Sequence, residues 1–295
     1  MIYTLTQDGF RARVDSRGAQ LVSLTDPNGT EYIWQRKAPY WEECAPVLFP
    51  VVGRCRDGII TVDDNDYPIA EIHGFALGME FELTEQTESS LCFRLTDSPV
   101  THEKYPYPFT LGVKHTLTEG RLKTEFSVQN SGHTDIQFGI GGHPGISCPL
   151  IDGETFEDYV LDFGVPFTLD SICVSPEGEI QPQKTKRILE QEQALSLDRE
   201  LFAGDALIFE NPPFDSLILK SKKSGRGIRF SFENFTTFAM WTEAPPAQAP
   251  FLCLEPWNSM GRRSGEGTEL SQKAGVITLP AGEEFRCGYQ IQPIV

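Results

Sequence analysis

Apolar and polar residues alternate along much of this chain, which is the pattern of β-strands that bury one face. The clearest case lies on either side of Glu119-Gly120, where two successive runs carry an apolar face. The faces consist of Phe109, Leu111, Val113, His115 and Leu117 in the first run and of Leu122, Thr124, Phe126 and Val128 in the second. A turn pair between alternating runs predicts a hairpin of long antiparallel strands.

The same period of two recurs near both ends of the chain, and clusters of Gly, Pro, Asn and Asp separate the runs. Helical signals are scarce: only the stretch from Ile188 to Leu201, with its Gln, Glu, Ala and Leu, predicts one or two short helical turns. Strands and helices do not alternate, which argues against a parallel sheet. The pattern therefore predicts an all-β fold, a large antiparallel β-sandwich with few short helices. No linker-like stretch interrupts it, so we expect a single domain over residues 1–295.

Composition and charge narrow the functional classes. The 295 residues are 39% hydrophobic, 11% aromatic and 23% charged, as in an ordinary globular protein. A net charge of −17 repels polyanions, so we expect no nucleic-acid partner. The first eight residues have neither a basic nor an apolar region of a signal peptide. No apolar run of about 18 residues occurs, so the chain is not expected to enter a membrane.

The seven cysteines are odd in number, scattered and without a CxxC pair. We interpret them as free thiols in a reducing compartment, which predicts a cytoplasmic protein, with zinc ligation or disulfides as the alternative. Motifs for dinucleotides, nucleoside triphosphates, calcium and catalytic zinc are lacking, as is the serine-hydrolase elbow. The histidines have no close metal-ligand spacing, so we expect no metal and no cofactor.

His143 is the first candidate for chemistry. It follows the glycine-rich run Phe138 to Gly142 and precedes Pro144, which favours an extended backbone at His143. The imidazole is therefore expected to project from the end of a strand, and the glycines to let the backbone bend and to leave open space beside it. Because imidazole titrates near neutrality, His143 can donate or accept a proton there.

Glu255 is the second candidate. It follows the apolar run Phe251 to Leu254, and a charge in that place is costly unless it is paired or lies in a cleft. Partial burial raises a carboxyl pKa towards the range useful for a base. Trp257 and Trp241 lie nearby in sequence and offer flat apolar surfaces of the kind on which sugar rings pack, although each alone is more often a core residue.

Three further residues have a functional and a structural interpretation each. Arg54 ends the apolar run from Val47 and is either a surface residue or a donor to a ligand hydroxyl or phosphate. His73, followed by Gly74, is either a core histidine or part of a site. Asp205 is either a turn cap or an acceptor for hydroxyl groups. His115 lies within an apolar stripe and is interpreted as a packing residue.

Several short segments, taken together, resemble the aldose 1-epimerase (galactose mutarotase) superfamily, specifically its LacX-like branch. They occur in the order typical of that superfamily and extend over most of the chain: 49–54 (Phe-Pro-Val-Val-Gly-Arg), 73–75 (His-Gly-Phe), 142–144 (Gly-His-Pro), 205–207 (Asp-Ala-Leu) and 254–257 (Leu-Glu-Pro-Trp). The resemblance implies a galactose mutarotase-like β-sandwich with an open, cofactor-free sugar cleft. It also implies interconversion of the α and β anomers of free aldoses or, in one branch, of hexose 6-phosphates.

The resemblance assigns roles to five of the candidates. It implies that Glu255 is the general base for the anomeric hydroxyl and that His143 is the general acid for the ring oxygen. The resemblance also implies that His73 joins this catalytic group by holding the ring oxygen and that Arg54 holds neighbouring hydroxyls. Asp205 is expected to bind further hydroxyls. Trp257 is expected to contact the sugar face.

Some alternatives remain open from the sequence. Arg262 and Arg263 are either partners for a 6-phosphate or a solvated basic turn, and a free aldose is the preferred substrate. A non-catalytic carbohydrate-binding protein on the same fold is one rival function. The other is a glycoside hydrolase or polysaccharide lyase, for which Asp205 and Glu255 supply two carboxylates. The expected partner is a small sugar, and the expected assembly is a monomer or homodimer.

Overall fold

The computed structural model describes residues 1–295 and contains 22 strands. The strands are β1 (Ile2–Gln7), β2 (Phe10–Asp15), β3 (Gln20–Thr25), β4 (Val47–Leu48), β5 (Ile59–Val62), β6 (Asn65–Pro68), β7 (Glu82–Gln86), β8 (Ser90–Thr96), β9 (Phe109–Thr118), β10 (Arg121–Asn130), β11 (Ile136–Phe138), β12 (Ile140–Gly142), β13 (Gly145–Ser147), β14 (Tyr159–Val174), β15 (Ile180–Ser196), β16 (Leu207–Glu210), β17 (Ser216–Ser221), β18 (Gly227–Glu233), β19 (Thr237–Trp241), β20 (Phe251–Asn258), β21 (Ile277–Leu279) and β22 (Glu284–Ile294).

Helices are short. One α-helix, α1 (Pro99–His102), is accompanied by 3₁₀ segments at Arg56–Gly58, Ala76–Gly78, Phe156–Asp158, Arg199–Phe202 and Leu270–Gln272. None of these helices is long and apolar enough to cross a lipid bilayer.

The strands form one large sheet and three small ones, and every strand pairing is antiparallel. The large sheet has 15 strands in the order β4-β12-β20-β19-β16-β14-β17-β18-β22-β10-β9-β8-β7, with β13 beside β20 and β15 beside β14. The small sheets are β1-β2-β3, β11-β21 and β5-β6. This architecture confirms the predicted all-β antiparallel class with few helices.

The hairpin at Glu119-Gly120 is confirmed. β9 pairs with β10 from Phe109 opposite Asn130 to Thr118 opposite Arg121. Both turn residues have positive φ, 51° and 70°, as a tight two-residue hairpin turn requires. Burial alternates along both strands, so the period of two in the sequence corresponds to one face in the core and one outside.

The helical turns predicted between Ile188 and Leu201 are wrong for most of that stretch. Residues up to Ser196 belong to β15, which pairs with β14 in a long ribbon broken by several register shifts. Only the end is helical, as the 3₁₀ segment Arg199–Phe202, where the Asp198 side chain accepts a hydrogen bond from the Glu200 N–H (2.9 Å). Pairing with the neighbouring strand outweighs the helical preference of the Gln and Glu residues.

Two groups of buried apolar side chains fill the interior. The larger one contains 67 residues and includes Phe49, Phe109 and Phe126. The smaller one contains eight residues, among them Ile208 and Trp257, and lies beside the cavity described below. Strands β4, β12 and β20 are neighbours in the large sheet, so the segments that carry the candidate residues meet at one end of it.

His115 is a packing residue, as the sequence predicts. It is 1% exposed, and both ring nitrogens have partners: Nε2 donates to the Ala19 carbonyl (2.9 Å), and Nδ1 accepts from the Thr124 hydroxyl (3.0 Å). These bonds fit the neutral ring. Burial lowers the pKa of His115 from 6.5 to about 4, against the smaller opposing effect of the Ala19 carbonyl.

This buried histidine predicts acid sensitivity of the fold. Between pH 6.5 and about 4 the unfolded chain binds a proton at residue 115 that the folded protein does not bind, so stability falls as pH falls through this window. The difference corresponds to about 3 kcal/mol in the free energy of unfolding. Urea unfolding at pH 7, 5.5 and 4 measures it. His115→Gln keeps a donor and an acceptor but does not titrate. Its loss of stability between pH 7 and 4 is therefore expected to be smaller than that of the wild type by this amount, and equal losses in the two proteins contradict the prediction.

Candidate active site

Six residues selected from the sequence line one cavity of about 900 Å³. They arrive from five separate segments of the chain: Arg54, His73, His143, Asp205, Glu255 and Trp257. A cavity of this size lies within the range found for small-molecule sites.

His143 lies in the short connection between β12 and β13, so its imidazole projects beyond the end of β12. The expected role of the preceding glycines is wrong in its details. Neither Gly141 nor Gly142 has a positive φ, and a side chain on either would meet a neighbouring ring. A Cβ on Gly141 would lie 2.7 Å from the Trp257 ring, and one on Gly142 would lie 2.6 Å from the Tyr289 ring. These glycines make room for packed aromatic side chains rather than for an open cleft.

Glu255 lies in the middle of β20, opposite Ala239 of β19. The strand continues beyond this glutamate to Asn258. Glu255 is therefore held by the backbone bonds of a central strand and is only 1% exposed. Its Oε2 lies 3.0 Å from Nε2 of His143, which is itself 6% exposed. The two side chains form a buried pair at ion-pair distance.

The surroundings drive both members of this pair towards their neutral forms. Burial raises the pKa of the Glu255 carboxyl well above its usual value, and the carboxylate of Asp205 raises it further, while the nearby Trp257 indole acts in the opposite direction. Burial lowers the pKa of His143 well below 6.5, and the adjacent His73 lowers it further. Two groups so close titrate as a unit. Between its two titration steps the pair therefore holds one dissociable proton.

Three hydrogen bonds to backbone groups of Gly53 and Phe49 hold His73 in place. Its N–H donates to the Gly53 carbonyl (2.9 Å), its carbonyl accepts from the Phe49 N–H (3.2 Å), and its Nδ1 accepts from the Gly53 N–H (3.1 Å). Because Nδ1 accepts, the proton of the neutral ring is on Nε2. The ring meets that of His143 edge to face at 5.2 Å. Burial, and then the charge of Arg54, lower the pKa of His73 to about 4, so the ring is neutral near pH 7.

Arg54 and Asp205 are exposed residues at the rim of the cavity. Arg54 has no carboxylate within ion-pair distance, and its backbone carbonyl accepts a hydrogen bond from Arg262 (2.8 Å). Asp205 has a φ of 84°, and its Oδ1 accepts from the N–H of Ala206 (2.7 Å). One of its carboxylate oxygens thus caps the turn, as the structural interpretation expected, while the residue also borders the cavity.

Two further residues lie beside His143 without a distinct signal in the sequence. Trp41 packs on His143, with the rings 4.7 Å apart and inclined by 33°. The only signal for it was an aromatic pair, Tyr40-Trp41, in an otherwise polar segment. Cys253 was expected to be a buried thiol without a further role, but its sulfur lies within 4.8 Å of the ligand atoms of His143 and Glu255. Cys253 and Glu255 are two positions apart on β20, so their side chains lie on the same face.

Arg262 and Arg263 do not line the cavity. Arg262 donates to the backbone carbonyl of Glu177, and Arg263 lies 3.9 Å from the carboxylate of Glu210. Of the two interpretations of this basic turn, the geometry agrees better with a structural one.

The fold and this cavity define a class of protein, an antiparallel β-sandwich with a buried carboxylate–imidazole pair on the floor of a ligand-sized pocket. The chain belongs to the aldose 1-epimerase family, whose sequence model matches residues 1–275. Membership places it among the isomerases of epimerase type. It confirms the resemblance that the short motifs indicated.

Individual relatives agree with this placement. The chain is 33% identical to the chromosomal protein LacX of Lactococcus lactis over 297 aligned positions that cover 99% of both proteins. It is similar in structure to a galactose mutarotase-related enzyme of Lactobacillus acidophilus, with a TM-score of 0.94, 28% identity and coverage of 100% and 98% of the two chains. A galactose mutarotase-like protein of Lactobacillus casei gives a TM-score of 0.91 at 25% identity, with both chains fully covered.

Proposed function

We propose that this protein interconverts the α and β anomers of an aldohexose. The observation that carries the proposal is the 3.0 Å contact between His143 Nε2 and Glu255 Oε2 on the floor of the cavity. Opening a pyranose ring requires one group to remove the proton from O1 and another to give a proton to O5. Both oxygens are bonded to C1, so two adjacent side chains reach them together.

The proposed step moves one proton through the sugar. The Glu255 carboxylate takes the proton from O1, a C1–O1 double bond forms, the C1–O5 bond breaks, and O5 takes a proton from protonated His143. Rotation about the C1–C2 bond and the reverse transfers give the other anomer. Because the pair holds the same number of protons before and after, the step as written uses no cofactor.

The shifted pKa values support this exchange. A raised pKa makes the Glu255 carboxylate a stronger base, and a lowered pKa makes protonated His143 a stronger acid. Neutral His73 is proposed to donate its Nε2–H to the ring oxygen. At the rim, the Arg54 cation is proposed to donate hydrogen bonds to sugar hydroxyls and the Asp205 carboxylate to accept them. Trp257 is proposed to contact the sugar face.

The charges around the cavity favour a neutral sugar over a 6-phosphate. Two cations border it, Arg54 and Lys104, and the second is paired with Glu71. The bordering carboxylates are Glu43, Glu71, Asp205 and Glu255. A phosphate would therefore meet one unpaired arginine in a mostly acidic setting, which is unfavourable.

One alternative keeps the reaction but changes the substrate, a hexose 6-phosphate epimerase. The other is a non-catalytic sugar-binding protein. A buried acid–base pair is not needed for binding, and its desolvation opposes folding, which supports an enzyme. A hydrolase needs two carboxylates that flank the bond. Here the direct partner of Glu255 is an imidazole, and Asp205 lies at the exposed rim, which supports the epimerase.

We further propose that the chain acts in a reducing, cytoplasmic compartment as a single domain, monomeric or homodimeric. Its seven cysteine thiols are unpaired, and five of them are buried: Cys44, Cys55, Cys148, Cys253 and Cys287.

The test is the rate of anomerisation of freshly dissolved α-D-glucose and α-D-galactose and of their 6-phosphates, followed by polarimetry or proton NMR. We expect acceleration over the buffer rate with at least one free sugar and less acceleration with the 6-phosphates. Preference for a 6-phosphate moves the assignment to the phosphorylated substrate. No acceleration of any of the four contradicts an epimerase, and sugar-induced shifts in melting temperature then test the binding protein.

A further inference from the structure

The floor of the cavity contains the side chains of a metal site. The ligand atoms of His143, Cys253 and Glu255 all lie within 4.8 Å of one another, and all three residues are buried. Imidazole, thiolate and carboxylate are the donors that zinc takes in proteins. We propose that these three residues bind a thiophilic divalent cation of the zinc type, and that the bound ion blocks the acid–base pair. The second half of this proposal rests on the proposed function; the first half does not.

The positions of the three donors are fixed by the sheet. Cys253 and Glu255 share one face of β20, and Cys253 is paired with Gly145 of β13, two residues after His143. Zinc bonds of about 2.0–2.3 Å in a tetrahedron hold the ligand atoms about 3.3–3.8 Å apart. The His143–Glu255 separation of 3.0 Å and the limit of 4.8 Å for the group bracket these values. Small side-chain rotations therefore suffice to close the site around an ion.

Charge balance favours a doubly charged ion at this place. The thiolate and the carboxylate together carry two negative charges, so the complex with a divalent cation is neutral and its burial is inexpensive. Binding releases two protons, one from the Cys253 thiol and the one shared by His143 and Glu255. Because the ion competes with protons for these donors, affinity is expected to rise with pH.

The site has one open side. His143 and Glu255 border the cavity, whereas Cys253 lies behind them and does not. An ion held by the three donors thus keeps its fourth position towards the cavity, as in zinc sites with an exchangeable ligand. It also occupies the lone pairs that the two catalytic groups need for proton transfer. Zinc is therefore expected to inhibit anomerisation chiefly by lowering kcat.

The test is titration of the full-length protein with Zn²⁺ and Cd²⁺ at pH 7 and 8 by calorimetry, with Cd²⁺–thiolate absorption as the second readout. We expect one ion per chain, with tighter binding at pH 8. Cys253→Ser removes a direct ligand and is expected to weaken metal affinity by ~100-fold or more, because loss of a residue that only supports a ligand already weakens it by about 10–100-fold. Cys287→Ser, at a buried thiol on β22, is the matched control.

Inhibition of anomerisation by zinc is a second test, independent of the binding measurements. Micromolar Zn²⁺ is expected to stop anomerisation by the wild type and Cys287→Ser, to spare Cys253→Ser, and to be reversed by a chelator. Binding or inhibition that persists in Cys253→Ser overturns the proposal, as does the absence of binding in the wild type. Since Cd²⁺–thiolate absorption needs no activity, the metal site is testable even if no sugar is anomerised. His143→Asn provides a second variant, expected to weaken Cd²⁺ binding, should Cys253→Ser fail to fold.

Discussion

Glu255→Gln is expected to abolish most of the acceleration of sugar anomerisation. Glutamine has nearly the same shape and can still hydrogen bond to His143, but it cannot take the proton from O1. Positioned acid–base groups contribute about 10²–10⁴-fold to a rate, so we expect kcat to fall by at least ~100-fold. The Michaelis constant is expected to change little, because the residues proposed to bind the hydroxyls remain. Polarimetry with the best free sugar measures both quantities.

The control is a half-buried carboxylate outside the cavity. Glu31 also has a pKa raised by burial, and its oxygens accept hydrogen bonds from Ser23, Leu24 and Ile33. Glu31→Gln is expected to keep full activity. Thermal unfolding of Glu255→Gln is expected to be unchanged or shifted slightly upwards, since a buried ionisable group has been removed. A variant that is folded and retains wild-type kcat contradicts the role of Glu255 as base.

The regular part of the fold was predictable because each strand there has one buried and one exposed face. In β9 and β10 the alternation of side chains is nearly perfect, and a turn pair joins them. β15 lacks this signal. Most of its side chains are exposed, so no apolar face marks it as a strand. Its conformation depends on backbone pairing with the preceding strand β14, which the pattern of apolar and polar residues within β15 does not reveal.

The residues of the candidate site likewise fall into those that the sequence reveals and those that it does not. Residues at strand ends and glycine turns, such as His143 and His73, stand out because polar groups interrupt apolar runs. Trp41 and Cys253 do not stand out, because an aromatic residue in a loop and a cysteine in an apolar strand look like ordinary packing. Their proximity to His143 arises from the order of strands in the sheet. The charge of Arg262 was visible in the sequence, but its hydrogen bond to the Glu177 carbonyl was not.

Gly74→Ala is expected to damage both the fold and the site, because Gly74 lies where two backbones touch. Its φ is +76°, and a Cβ there would overlap the Phe49 carbonyl oxygen and lie 2.6 Å from the Phe49 carbonyl carbon and 2.9 Å from the Pro50 nitrogen. These are backbone atoms, so no side-chain rotation relieves the overlap. The same Phe49 carbonyl accepts from the Ala76 N–H (3.2 Å), and the Phe49 N–H binds the His73 carbonyl.

Gly225 allows the steric overlap to be separated from the unfavourable φ. It also has a φ of +76°, but no atom lies within 4 Å of its would-be Cβ. Gly225→Ala is therefore expected to lose only the about 1–2 kcal/mol of the left-handed conformation, whereas Gly74→Ala should lose ~3 kcal/mol or more in urea unfolding. Moving His73 by about 1 Å can lower the rate ~100-fold, so kcat/KM should fall in Gly74→Ala alone. Equal stability losses with unchanged activity in both variants would show that the contact between Gly74 and Phe49 does not position His73.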